Sequence, residues 1–173
     1  MTIEEAKALL AGADITSAAP QSWADLGCGS GLFSRALAEL LPGGSHLLCL
    51  DQNRQEWDQL YIQGVTLEFR QADFVRETLP VSDFDGVLMA NSLHYVSDQA
   101  GLIERLRGRL AESARFLIVE YDTARANRWV PYPLPFAKLK VLFSEHGSAQ
   151  IRKIGQRRSV YGPDGMYAAE ISR

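Results

Sequence analysis

Three glycines spaced two residues apart separate a short apolar run from a helix-spaced one, and no other feature of the sequence restricts the fold as much. Ser22–Leu26 reads as a strand and Gly27-Cys28-Gly29-Ser30-Gly31 as a loop. Residues 32–41 read as a helix, with Leu32, Phe33, Ala36, Leu37, Leu40 and Leu41 on its apolar face and Pro42-Gly43-Gly44 ending it. Glycines permit positive φ and carry no Cβ to block a ligand from the backbone. A strand, a glycine loop and a helix in that order is the context that a nucleotide-binding loop requires.

The same alternation continues along the chain. Residues 46–50 are an apolar run of strand length closed by Asp51. Residues 52–63 are expected to be a helix with Trp57, Leu60 and Tyr61 inward and Gly64 at its end. Residues 65–71 and 83–90 read as strands, 98–110 as a helix and 115–120 as a further strand. Wholly apolar strands between amphipathic helices indicate a parallel sheet covered on both faces. After Tyr121, Pro131, Pro133 and Pro135 forbid regular structure. Residues 137–146 then resume a helix, ended by Gly147. Residues 149–156 and 166–172 are expected to form an antiparallel pair at one sheet edge, joined by the turn Gly162-Pro163-Asp164-Gly165. Residues 1–21 form an N-terminal helix and linker, and residues 22–173 carry the ligand-binding unit of a single domain.

Composition narrows the function classes. The chain has 173 residues, 46% of them hydrophobic, enough for one well-buried core. A net charge of −3 argues against a polyanion partner held by bulk electrostatics, so nucleic acid is not expected. Cys28 and Cys49 lie in no metal-ligand spacing and read as reduced thiols. No stretch approaches the ~20 apolar residues needed to span a bilayer. The first residues carry two acids and no basic segment, unlike a secretory signal, which leaves the cytoplasm as the expected location.

Two readings compete at the glycine loop. The dinucleotide fingerprint GxGxxG is met by Gly27 and Gly29, but Leu32 stands where its third glycine belongs. Asp25-Leu26-Gly27-Cys28-Gly29-Ser30-Gly31 instead resembles the first motif of class I S-adenosylmethionine-dependent methyltransferases. Asp51 ends the second strand, where a carboxylate can accept hydrogen bonds from ribose hydroxyls; nicotinamide enzymes share this acid. The resemblance extends through Asp73-Phe74 and through Phe84-Asp85-Gly86-Val87-Leu88-Met89-Ala90-Asn91, which ends in Asn91.

What the resemblance implies is an α/β, Rossmann-like three-layer sandwich, with a mostly parallel seven-stranded sheet and an antiparallel edge strand. It implies S-adenosylmethionine as cofactor and S-adenosylhomocysteine as product. The residues expected to bind it are Asp25, Gly27, Cys28, Gly29, Ser30, Gly31, Asp51, Gln52, Asp73, Phe74 and Asn91. Asp73 is expected at the adenine amino group and Phe74 against the ring. Each residue also has a structural alternative as a tight turn, a helix cap or a core aromatic.

The sulfonium already activates its methyl group, so the protein must mainly position the acceptor and exclude water. A base is needed only for a nucleophile that arrives protonated. In Asn91-Ser92-Leu93-His94-Tyr95, His94 is the candidate base; the alternative is that it caps the following helix or packs under the loop. His94, Tyr95, Trp129 and Tyr132 are the candidate acceptor-binding residues, the last two on a proline-rich loop suited to presenting an aromatic wall. The structural alternative for that loop is a connector covering the next helix. Arg125 and Arg128 could meet an acidic substrate or be solvated, whereas Arg152, Lys153, Arg157 and Arg158 read as a solvated strand face.

No acid occupies positions 89–91, where catechol-type relatives hold a metal, so no metal is expected. The absence of an Asp/Asn-Pro-Pro-Tyr segment separates the chain from the amino-methylating DNA and glutamine enzymes. A small-molecule acceptor, no membrane partner and an acceptor site either open or completed by a second subunit of a homo-oligomer complete the expectation. A cofactor binder without transfer activity and an NAD(P)-dependent oxidoreductase are the alternatives.

Overall fold

A computed structural model describes residues 1–15, 18–77, 83–148, 150–158 and 165–172. Eight strands form one sheet: β1 (Ser22–Leu26), β2 (His46–Asp51), β3 (Gln59–Ile62), β4 (Val65–Gln71), β5 (Phe84–Ala90), β6 (Leu110–Tyr121), β7 (Gln150–Arg157) and β8 (Met166–Ser172). Their spatial order is β3-β4-β2-β1-β5-β6-β8-β7. β4, β2, β1, β5 and β6 run parallel. β8 is antiparallel to both β6 and β7, and β3 is antiparallel to β4.

Alternate strand residues feed two cores. On one face Leu26, Leu50, Met89 and Ile118 meet α3 (Gln99–Arg107) and α4 (Phe136–Glu145) through Leu102, Ile103, Leu139 and Phe143. On the other, Leu47, Leu88, Leu117 and Val119 lie under α1 (Ile3–Leu10) and α2 (Leu32–Ala38). Burial of these side chains on both faces makes the central strands apolar throughout. Thr2 and Glu5 close a reciprocal capping box at the start of α1. α1 then lies so close to β7 that a Cβ on Gly155 would meet the Leu9 carbonyl.

The sheet corrects three expectations. Residues 52–63 are not a helix: the segment turns and returns as β3, so the sheet has eight strands rather than seven. The Asp51 side chain accepts from the Asn53 amide (2.8 Å) and ends regular structure there. Gln63 (φ 48°) and Gly64 (φ 84°) supply the two consecutive positive φ values that suit a tight hairpin. The hairpin pairs Leu60 with Leu67. Trp57 and Leu60 do pack inward, but Tyr61 is 73% exposed. Three apolar residues in a short window fit either period, and the turn decided between them.

The expected antiparallel pair does form one sheet edge, with β8 against β6 and β7 outside it. β8 is buried along nearly its whole length, while β7 alternates with solvent. Leu110, expected to end a helix, opens β6, since α3 stops at Gly108. The turn expected at Gly162-Pro163-Asp164 and the residue Ala149 lie outside the described residues. Among the described residues no helix is long and apolar enough to cross a membrane.

Candidate functional site

β1 lies between β2 and β5, so successive connections leave it in opposite directions and open a crevice at the strands' C-terminal ends. A cavity of about 820 Å³ fills that crevice. Gly27, Cys28, Gly29, Ser30, Asp51, Gln52, Asp73, Phe74, Asn91 and Tyr95 line it. Residues from four strand ends are thus gathered at one place.

The loop's shape follows from its glycines. The Gly27 amide donates to the Leu50 carbonyl (2.8 Å), and a Cβ on Gly27 would lie 2.5 Å from the Ser92 Cβ. Gly29 has φ 51° and nothing within 4 Å of a would-be Cβ, so its bare face opens onto the cavity. Its amide donates to Asp51 Oδ2 (2.9 Å), and Asp51 Oδ1 takes the Asn53 amide. One carboxylate therefore sets the glycine loop and the turn after β2, with lone pairs remaining on both oxygens.

Asp25 and Gly31 stand behind the cavity. Asp25 is 1% exposed and accepts from the Ser34 hydroxyl (2.5 Å), while its Oδ1 has no partner. Burial pushes its carboxyl from an ordinary 3.8 up to about 7; the Ser34 bond opposes this and the charge of Asp51 adds to it. Gly31 begins α2 at φ 82°, against the Trp57 ring. A hydrogen bond with Cys49 and burial push the Cys28 thiol well above its ordinary range, which makes it neutral lining rather than a nucleophile.

The far walls are equally local. Asp73 Oδ1 accepts from the Val75 amide (3.0 Å), and Phe74 approaches Gly27. Asn91 adopts φ 54°, and its Oδ1 is buried without a partner. Ser92, which the sequence did not single out, donates to the Leu26 carbonyl (2.6 Å) and ties the end of β5 to the end of β1.

His94 does not line the cavity. It is 2% exposed, its amide donates to Glu120 Oε1 (3.1 Å), and its Nδ1 lies 2.5 Å from Glu120 Oε2. Its ring packs between Tyr95 (4.4 Å) and Tyr121 (6.2 Å). The helix after it is capped by Asp98, which accepts from the Gly101 amide. Glu120 escaped the sequence reading, although a lone acid ending the apolar run Phe116–Val119 was the available signal.

Trp129 and Tyr132 also lie outside the cavity lining, 66% and 44% exposed. Their loop is nonetheless joined to the His94 segment, because the Tyr132 amide donates to the His94 carbonyl (3.0 Å). Gln99 Nε2 donates to the carbonyls of both Leu93 and Tyr132. Among the basic residues of β7, Arg152 pairs with Glu170, Lys153 with Asp122 and Arg157 with Glu5. A second cavity, about 770 Å³, lies around Glu170, which Arg115 and Arg152 neutralise. Among the described residues no group of three or more metal-ligating side chains occurs.

A family model described as a methyltransferase domain matches residues 24–116. Uncharacterized methyltransferases of Mycobacterium tuberculosis and Mycobacterium bovis are 26% identical over 99 residues, 57% of this chain and 50% of theirs. The chain thus spans about half the length of the curated relatives it matches. A SAM-dependent methyltransferase structure from Archaeoglobus fulgidus superposes with a TM-score of 0.73 at 15% identity, covering 99% of this chain and 95% of that one. The 1,6-didemethyltoxoflavin-N1-methyltransferase of Burkholderia thailandensis does so with a TM-score of 0.67 at 18% identity, covering 98% and 77%. The shared fold is the Rossmann-like sandwich, mostly parallel with a reversed strand.

Proposed function

The chain belongs to the methyltransferase-domain family, and from that premise we propose that it transfers a methyl group from S-adenosylmethionine to a small-molecule acceptor. The observation that carries this reading is the pairing of Gly29 with Asp51 at the switch point of the sheet. The glycine loop and the carboxylate that fixes it line the same cavity side by side, which suits a ligand whose polar chain lies along bare backbone and whose ribose hydroxyls reach Asp51. The unpartnered Asn91 Oδ1 offers an acceptor to the ligand's amino group. Asp73 and Phe74 line the same cavity and would offer an adenine a hydrogen-bond acceptor and an apolar face. Asp25 acts from behind, holding Ser34 and the base of the loop.

S-adenosylmethionine supplies, when bound, a methyl group on a positively charged sulfur. The acceptor's lone pair forms the new bond as the carbon–sulfur bond breaks, with the departing pair kept by sulfur. What the chain contributes is alignment and the exclusion of water. To act as base for an acceptor that arrives protonated, His94 would need Tyr95 to swing aside, because it is 2% exposed and lies outside the cavity lining; Glu120 holds Nδ1, and Nε2 makes no hydrogen bond among the described residues. The Burkholderia thailandensis structure, solved with 1,6-didemethyltoxoflavin and S-adenosylhomocysteine, supports a small-molecule acceptor on this fold.

Calorimetric titration with S-adenosylmethionine, S-adenosylhomocysteine and NADH tests the reading. The sulfonium compound and its product should bind and NADH should not. Asp51→Ala should weaken both by about tenfold to a hundredfold, the worth of hydrogen bonds to a charged group. Preference for NADH, or no binding at all, would overturn it.

A further inference from the structure

Three of the four strongly exposed aromatic side chains among the described residues are Tyr95, Trp129 and Tyr132. They stand on two segments joined by the bond from the Tyr132 amide to the His94 carbonyl, and Tyr95 also lines the cavity. A single exposed aromatic needs no explanation, whereas several on adjoining segments mark a recognition surface.

The backbone that presents them is held in place. Asn127 Oδ1 accepts from the Trp129 (2.8 Å) and Val130 (3.0 Å) amides. Val130 and Leu134 are buried and anchor the loop on either side of Tyr132. Pro131, Pro133 and Pro135 restrict φ between and beside the anchors. Little ordering entropy remains to be lost when a ligand settles on such a loop.

The Arg128 guanidinium lies 4.8 Å over the Trp129 ring, and among the described residues neither Arg125 nor Arg128 forms an ion pair. The neighbouring acids are occupied: Glu120 holds His94, and Asp122 accepts from the Phe136 amide and pairs with Lys153. The loop therefore carries two exposed aromatics, a guanidinium stacked on one of them and a second arginine three residues earlier in the chain.

We propose that this surface receives a planar aromatic acceptor carrying an anionic group, with the ring stacked on the exposed aromatics and the anion met by Arg125 and Arg128. Stacking selects flatness, and guanidinium groups select carboxylate or phosphate geometry. The inference rests on the methyltransferase reading and names the acceptor class for it. Single-stranded nucleic acid would also stack and carry negative charge, but the −3 net charge of the chain favours the small acid.

The test titrates the full chain, with and without S-adenosylhomocysteine, by calorimetry and tryptophan fluorescence. The probes are 3,4-dihydroxybenzoate, 4-hydroxyquinoline-2-carboxylate, the methyl ester of the first, cyclohexanecarboxylate and a thymidine oligonucleotide. Trp129 is the strongly exposed tryptophan, so stacking there should quench emission. At least one aromatic acid should bind about tenfold more tightly than its neutral or saturated analogue, and added salt should weaken it. Trp129→Ala and the double variant Arg125→Gln, Arg128→Gln should each lower that affinity by about tenfold, with S-adenosylhomocysteine affinity unchanged. Binding of S-adenosylhomocysteine without either acid, equal affinity in wild type and variants, or tighter binding of the oligonucleotide would overturn the inference alone. Failure to bind S-adenosylhomocysteine would overturn the reading beneath it.

Discussion

His94 Nδ1 lies 2.5 Å from Glu120 Oε2, and both side chains are almost completely buried. The bond joins the turn after β5 to the end of β6, and the second Glu120 oxygen takes the His94 amide. Glu120 therefore positions both the ring and the backbone of the residue proposed as base.

Removing either partner leaves the other's buried polar atoms unsatisfied. Glu120→Ala should lower unfolding free energy by about 1–3 kcal/mol in urea titrations. His94→Gln should reduce kcat by about a hundredfold or more on a protonated acceptor, with S-adenosylhomocysteine affinity retained. Undiminished turnover would remove His94 from the chemistry.

Gly27 and Gly29 should separate stability from binding. Gly27→Ala places a methyl against Ser92 at φ 83° and should cost about 2 kcal/mol or more. Gly29→Ala meets no protein atom, so only its φ of 51° costs stability, about 1–2 kcal/mol. Its methyl projects into the cavity, so calorimetry should show cofactor affinity falling by more than the stability change predicts. Equal effects from the two substitutions would contradict the open cradle.

Asp25 should make stability fall as pH rises. Its folded pKa, about 7, lies above its ordinary 3.8, so between these values the native state holds a proton that the unfolded state has released. The contribution is constant below about 4, declines through about 7 and then levels off. Its full span is about 4 kcal/mol. Asp25→Asn should flatten this part of the urea-midpoint profile between pH 4 and 8. An unchanged slope would show that Asp25 does not titrate there.

Gly155 sets how closely α1 sits on β7. Gly155→Ala drives a methyl into the Leu9 carbonyl and should cost about 1–3 kcal/mol. Protection from hydrogen exchange should fall first in α1 and β7. Loss confined to distant strands would argue against this contact.

Legibility followed the range of the interactions. β1, the glycine loop and α2 were readable because strand, loop and helix signals adjoin within residues 22–41. Asp51, Asp73 and Asn91 were readable because each stands at, or within two residues past, the end of a strand that leads to the cavity. The segment 52–63 was misjudged because Trp57, Leu60 and Tyr61 suit a helix until Gln63 and Gly64 adopt positive φ together. Glu120 was missed because its partner is 26 residues away and two elements distant.

By itself, the sequence determined the parallel αβ pattern and the glycine loop, because hydrophobic period and glycine geometry act over a few residues. Tertiary structure alone decided which acids face the cavity and which lie behind it. Asp25 and Asp51 both belong to strands leading to the same crevice, yet Asp25 turns onto Ser34 while Asp51 reaches Gly29. It also decided that β8 enters between β6 and β7, and that Glu120 meets His94. Those outcomes depend on register and packing between distant segments, whose pairing is set by burial across the whole sheet rather than by any local preference.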